Sequence, residues 1–226
     1  MTLQSATGPV FSQKIRAPDQ PLLRVSGLTK RYGARIGCAD VSFDLFPGEV
    51  MGIVGESGSG KSTLLRMIAG LMTQSYGEVW LDGRLIENPA QKLVPGYDEI
   101  KLIHQDYQLF PNSTVEENIN RPLLQYDAKY RSQRVNRLLT QFGLENYKDR
   151  LPRQLSGGQQ QKVAIAQALA VEPEVLLLDE PFSHLDAIQK RKLIFELKEL
   201  LKEMGTTVIF VTHDLDDALR LTDSLL

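Results

Sequence analysis

The chain has 226 residues, 42% hydrophobic and 24% charged, a length that suits one domain or one domain with an inserted lobe. A balance of 26 Lys and Arg against 28 Asp and Glu gives a net charge of −2 and a pI near 6.0. That argues against a basic nucleic-acid binder and against an acidic disordered chain. The single cysteine, Cys38, excludes an intrachain disulfide and a Cys zinc cage and points to a reducing compartment, and no apolar run approaches the roughly 20 residues that span a bilayer.

Residues 1–20 carry few large apolar groups and no apolar signal core, so they read as a loose, flexible N-terminal extension. A short strand is predicted over 22–28, and 38–46 alternates apolar and polar as a half-exposed strand does. Pro47-Gly48 makes a turn into 50–54 (VMGIV), a continuous apolar run expected of a strand buried on both faces. A Gly-rich segment then leads to a helix over 62–71. Short strands follow over 77–82 and 100–104.

The middle of the chain changes character. From 113 to 143 the pattern is helical, and Ser113-Thr114 before Glu116-Glu117 resembles a capped helix start. Residues 106–158 therefore read as a helical lobe inserted into an α/β core. A helix is expected over 158–171, a buried strand over 175–178, an amphipathic helix over 186–204, a strand over 207–211 and a helix over 214–221. Strands alternating with helices imply a mostly parallel sheet.

The sharpest chemical signal is Gly55-Glu56-Ser57-Gly58-Ser59-Gly60-Lys61-Ser62-Thr63, a G-x-x-x-x-G-K-[ST] phosphate loop between a predicted strand and a predicted helix. Its glycines let successive N–H groups curl around phosphate oxygens, and the helix N-terminus adds the positive end of a dipole. Lys61 supplies a compact cation for the β- and γ-phosphates, and Ser62 offers a hydroxyl to Mg²⁺. Downstream, the apolar run Val175–Leu178 delivers Asp179 and Glu180 at a strand's C-terminal end, where open α/β sheets bind ligands. Asp179 suits a Mg²⁺ site and Glu180 suits accepting a proton from water.

Leu155-Ser156-Gly157-Gly158-Gln159 makes the pattern specific. Placed after a phosphate loop and before an LLLDEP strand, it resembles the signature of ABC-type ATPases, and the likeness covers about 22–226. Further elements match in order: Tyr32, Gln105 within IHQDYQLFP, the PFSHLD stretch ending at Asp186, His213 within VTHD, and TVEENI at the start of the helical lobe. The resemblance implies a P-loop NTPase (RecA-like) core, mostly parallel, with an N-terminal antiparallel β subdomain and an inserted α-helical subdomain over about 106–158, the ATPase domain filling 21–226.

It also implies a head-to-tail dimer, a homodimer or a paired ATPase subunit, with ATP at two equivalent sites. Ser156, Gly157, Gly158 and Gln159 of one copy would meet the γ-phosphate on the other. Tyr32 would stack on adenine, His213 would contact the γ-phosphate and orient water, and Asp186 would run across the seam. Gln105 would touch Mg²⁺ or water. The implied function is the motor subunit of an importer-like ABC transporter, at the inner, cytoplasmic face of the cell membrane through transmembrane permease subunits. A short partner helix would enter a groove near Gln105 whose wall includes Leu109 and Phe110. The alternatives are a non-transport ABC ATPase of DNA repair or translation, against which the missing basic tract argues, and a nucleotide-binding scaffold with weak hydrolysis.

The chain departs from the family pattern in places. Lys162 and Gln167 stand where arginines are common, so Lys162 loses the guanidinium fork and Gln167 the charge. His184 replaces a small residue and could alter the dimer seam. Members usually continue past Leu226 with another strand, a hairpin and a helix, so a truncated chain is the expectation at this end. Lys190-Arg191-Lys192 reads as a solvated helix face, and Cys38 as a packing residue.

Overall fold

The computed structural model describes residues 20–183 and 185–226, and divides the chain into two units. The expected N-terminal extension, apart from Gln20, and the departure at His184 lie outside the described residues.

The first unit comprises residues 20–102, 174–180 and 194–226 of the described chain. One sheet is antiparallel, built from β1 (Leu23–Tyr32), β2 (Arg35–Leu45), β4 (Tyr76–Leu81) and β5 (Arg84–Leu85), in the order β2-β1-β4-β5. The second takes β3 (Val50–Val54), β6 (Ile100–Ile103), β7 (Val175–Asp179), β8 (Thr207–Thr212) and β9 (Ser224–Leu225), in the order β6-β7-β8-β3-β9. β3, β7 and β9 pair in parallel where they meet β8 or β3. Every residue of β7 and β8 is buried, the signature of strands covered on both faces. One core joins the two sheets: Leu23, Val25 and Leu81 from the first, Leu177, Ile209 and Val211 from the second, and Leu65 and Ile68 of helix α1 (Lys61–Ile68). Each such fully buried side chain contributes about 1.5–3 kcal/mol.

β1 runs four residues beyond its predicted end. Gly27, which looks like a strand terminator, takes a φ of 58° at a register shift between Val25 and Leu28, and the strand continues past it as a bulge. Gly52 of β3 permits a close approach: a Cβ there would lie 2.7 Å from Leu225 Cδ2 and 2.8 Å from Thr222 Cγ2. That seat lets Leu226 donate to the Gly52 carbonyl at 2.8 Å.

The second unit comprises residues 103–173 and 181–193 of the described chain. It holds α2 (Val115–Asn120), α3 (Ala128–Gln141), α4 (Gly157–Leu169) and the first turns of α5 (Ala187–Met204), whose remainder belongs to the first unit. Helix α6 (Leu215–Leu221) lies in the first unit, capped by Asp214. Val115, Ile119, Leu123, Val135, Leu138, Val163, Ile165 and Leu169 form the buried interior of the helical unit. The helical stretch predicted over 113–143 is not continuous. α2 ends at a 3₁₀ turn, Arg121–Leu123, where Pro122 has no N–H to extend the ladder, and Asp127 starts α3 afresh by accepting from the Tyr130 amide at 2.9 Å. At the start of α2, Thr114 and Glu117 exchange reciprocal capping bonds at 2.7 and 3.2 Å. Asn118, fully buried, accepts from the Phe110 amide at 2.8 Å and donates to the carbonyls of Phe110, Ser113 and Thr114, fixing the loop before the helix.

Candidate functional site

The first unit assembles a site at the C-terminal ends of β3, β7 and β8. After β3, residues 55–60 turn into α1, whose N-cap is Gly60 at φ 101° with no side-chain cap and no acid in the first turn. The leading N–H groups of α1 thus point into an anion-ready concavity. Gly60 has a second reason to be glycine. A Cβ there would sit 1.8 Å from the Gly37 carbonyl oxygen and 3.1 Å from Cys38 Cβ, so the backbone of β2 presses directly on the loop. Cys38 packs there, and burial pushes its thiol pKa up.

Lys61 is 8% exposed and donates to the carbonyls of Gly55 at 2.7 Å and Glu56 at 2.9 Å, which draws its ammonium back across the loop. Its Nζ lies 3.6 Å from Glu180 Oε1. Ser62 Oγ donates to Asp179 Oδ1 at 2.9 Å. Pairing of Asp179 with Val211 across β7 and β8 sets the next residues side by side, and Glu180 Oε2 lies 2.9 Å from His213 Nδ1. Glu180 adopts a left-handed φ of 45°, anchored by its amide donating to Val211 O at 3.0 Å. A non-glycine residue held this way stores about 1–3 kcal/mol of strain, the kind found at functional positions.

Tyr32, at the end of β1, exposes 48% of its surface, and its hydroxyl donates to Met72 Sδ at 3.2 Å. Lys30 Nζ sits 5.3 Å from the ring centroid. Gly37 again matters, since a Cβ there would lie 2.8 Å from Tyr32 Cε2. Gly37 carries no signal in the sequence: no motif marks it, and its role comes from packing on Tyr32 across the β1–β2 turn and on Gly60, 23 residues further on.

The helical unit carries the other candidates. Ser156 caps α4 in a reciprocal pair with Gln159: Gln159 N donates to Ser156 Oγ at 3.4 Å, and Ser156 N donates to Gln159 Oε1 at 2.9 Å. Gly157 and Gly158 open that helix. Gln105 Nε2 donates to Ser183 Oγ at 3.1 Å. Asp186 caps α5, its Oδ1 accepting from the Ile188 and Gln189 amides at 3.0 and 2.9 Å and its Oδ2 from Gln189 Nε2. Ser183 and Gln189 carry no signal of their own in the sequence, one a Ser in a loop and the other a Gln in the first turn of a helix. The structure thus brings Lys61, Ser62, Asp179, Glu180 and His213 together in one unit, and Gln105, Ser156, Gly157, Gly158, Gln159 and Asp186 belong to the other.

Among the described residues no group of three or more His, Cys, Asp or Glu could form an all-protein metal cage. A hydroxyl and a single carboxylate in contact, Ser62 and Asp179, instead fit Mg²⁺, which takes hard oxygen donors and fills its remaining positions with water and phosphate.

A phosphate loop of this geometry beside two strand-end carboxylates defines a nucleoside-triphosphate-binding α/β protein. Comparison with known proteins narrows the class. The family described as ABC transporter matches residues 38–183. The probable sulfate/thiosulfate import ATP-binding protein CysA of Chlorella vulgaris is 41% identical over 89% of this chain and 84% of its own length. The spermidine/putrescine import ATP-binding protein PotA of Thermotoga maritima is 47% identical over 81% of this chain, and the Fe(3+) ions import ATP-binding protein FbpC 2 of Haemophilus influenzae 42% over 92%. The chain spans only 50% and 59% of the length of these last two.

Among solved structures, CbiO1 from Clostridium perfringens, part of the ABC transporter complex CbiONQ, superposes with a TM-score of 0.81 at 31% identity, covering 91% of this chain and 83% of its own. A dimeric bacterial ABC transporter cassette gives 0.74 at 35% identity, covering 88% and 90%. A dimeric post-hydrolysis state bound to ADP and Pi gives 0.73 at 33%, covering 90% and 96%. The chain belongs to the ABC transporter family, among its ATP-binding subunits.

Proposed function

We propose that this chain is the ATP-hydrolysing motor subunit of a membrane importer, working as a head-to-tail pair at the cytoplasmic face of permease subunits. The observation that carries the reading is the juxtaposition of Lys61, Glu180 and His213 at the mouth of an uncapped phosphate loop. In this reading the amides of residues 58–63 cradle the phosphates, and Lys61 turns from the Gly55 and Glu56 carbonyls toward the β- and γ-phosphate oxygens. Glu180 accepts the proton of the attacking water, and His213, in contact with its carboxylate, holds it in place and meets the γ-phosphate. Tyr32 stacks on the base. Bound at Ser62 and Asp179, Mg²⁺ would neutralise charge building on the transferred phosphoryl group.

The partner copy supplies Ser156, Gly157, Gly158 and Gln159, a second helix N-terminus for the same phosphate, and Asp186 lines the seam. Import is supported by the relatives' names. Their printed cargoes run from sulfate to polyamines to ferric iron and glycine betaine, so the shared ATPase chemistry carries no cargo specificity, and the cargo is set by other subunits. Among the described residues no helix is long and apolar enough to cross a membrane. The loop fixed by Asn118, with Leu109 and Phe110, would supply one wall for a permease helix.

The test compares ATP turnover of the wild type and of Glu180→Gln, each with its membrane partner. Turnover should fall by about 10²–10⁴-fold in the variant while ATP affinity stays within a few fold, and the variant should accumulate as an ATP-bound dimer. Negligible wild-type turnover with the partner present overturns the reading.

A further inference from the structure

The helix that carries the signature has a second end. α4 runs 13 residues from Gly157 to Leu169, about 20 Å at 1.5 Å per residue. Its last carbonyls face a buried guanidinium. Arg134 of α3 is 6% exposed, and its Nη2 donates to Leu169 O at 2.7 Å and its Nε to Ala170 O at 3.2 Å. The third edge of the fork, Nη1, lies 3.2 Å from Glu172 Oε1. Glu172 is held in a left-handed conformation at φ 53°, its own amide donating to Leu169 O at 3.0 Å. The arrangement satisfies carbonyls that any helix leaves without partners, places a cation at the negative end of the dipole, and fixes the residue that turns the chain away.

The bonds at the two ends of α4 differ. At its N-terminus the side-chain bonds are local, between Ser156 and Gln159 and from Gln160 Nε2 to Leu155 O at 3.2 Å. Gln161, one turn in and fully buried, has neither amide atom hydrogen-bonded among the described residues. The described bonds that tie α4 to another helix by its backbone come from Arg134, at the far end from the signature. Geometry then sets the consequence. A tilt of about 3° at that end moves the Ser156–Gly158 amides by about 1 Å over the 20 Å length of the helix. A displacement of that size is enough to cost about 10²-fold in a reaction that depends on alignment.

We propose that Arg134 is a positioning residue for the ATPase reaction: it aims the α4 N-terminus by clamping the α4 C-terminus to α3. The inference rests on the reading of Ser156–Gly158 as groups that meet the nucleotide of a partner copy. A lysine at position 134 retains the charge but cannot span Leu169 O, Ala170 O and Glu172 together, so the fork rather than the charge does the aiming.

The experiment uses the full chain. Turnover is measured for Arg134→Gln and Arg134→Lys, and ATP-driven dimerisation for the same changes in the Glu180→Gln background. ATP affinity is measured on dilute monomer, where the phosphate loop binds without the signature. Arg134→Gln should lower turnover and raise the concentration needed for dimerisation by about tenfold or more, with monomer affinity within about twofold of wild type. Arg134→Lys should fall between.

Turnover and dimerisation within about twofold of the parent overturn the proposal. So does a loss of monomer affinity in step with dimerisation, or failure of both variants to fold, since either reduces Arg134 to general stability. If Glu180→Gln with Arg134 intact does not dimerise on ATP, the reading of the signature as acting across a dimer fails, and the proposal falls with it. A dimerising parent whose Arg134 variants match it removes the proposal alone.

Discussion

The two units of the chain hold their functional groups in different ways. In the sheet unit the groups engage one another: Lys61 with Glu180, Glu180 with His213, Ser62 with Asp179. In the helical unit they serve as helix caps or bond to a loop side chain. Ser156 and Gln159 together cap α4, Ser183 takes the Gln105 amide, and Asp186 caps α5. The first unit holds these groups in one cradle, where Lys61 is drawn onto the Gly55 and Glu56 carbonyls and has to turn to meet a phosphate. The second keeps its hydrogen bonds satisfied at home, which suits groups that act on a surface brought to them.

This contrast can be broken most forcefully at Lys61. Lys61→Ala removes the ammonium held inside the phosphate loop, and ATPase turnover should fall by about 10²–10³-fold. A loss smaller than about tenfold in steady-state kinetics would mean that the cradle works without its cation. Gly60→Ala comes next. Left-handed strain and the collision with Gly37 O together should cost about 3 kcal/mol and lower the thermal midpoint by several degrees. An unshifted midpoint in a calorimetric scan would show that β2 yields to the loop.

The smallest effect sharpens the comparison from the helical side. Asp186→Ala removes an N-cap worth about 1 kcal/mol, whereas Asp186→Asn keeps it. Asn should therefore melt within about 1 °C of wild type and Ala a few degrees below. A drop in turnover in the Asn variant, with its midpoint unchanged, separates the role proposed for Asp186 at a dimer seam from its role as a cap.

The parts legible in the sequence were those written in short range. β7 and β8 announce themselves as unbroken apolar runs, and the phosphate loop is nine consecutive residues whose strand and helix flank it. Boundaries were less legible where a local signal was ambiguous. Gly27 looks like an end and is a bulge, and the helical periodicity across Pro122 hides a break. Gly37, Ser183 and Arg134 are invisible because no motif marks them and the partners Gly60, Gln105 and the end of α4 lie far away in sequence. Arg134 is one of several basic residues in a polar helix until its fork is seen to reach Leu169, Ala170 and Glu172.

Gly37 has one more consequence. Its missing side chain makes room for the ring of Tyr32, and its carbonyl abuts Gly60. The aromatic platform assigned to the base and the loop assigned to the phosphates thus both pack on one residue of β2. A side chain at position 37 has no neutral direction to grow. It disturbs the Tyr32 ring first, and any backbone shift that relieves that crowding is passed to the phosphate loop through the Gly37 carbonyl. The two ends of the nucleotide site, far apart in the chain, share a common wall one residue thick.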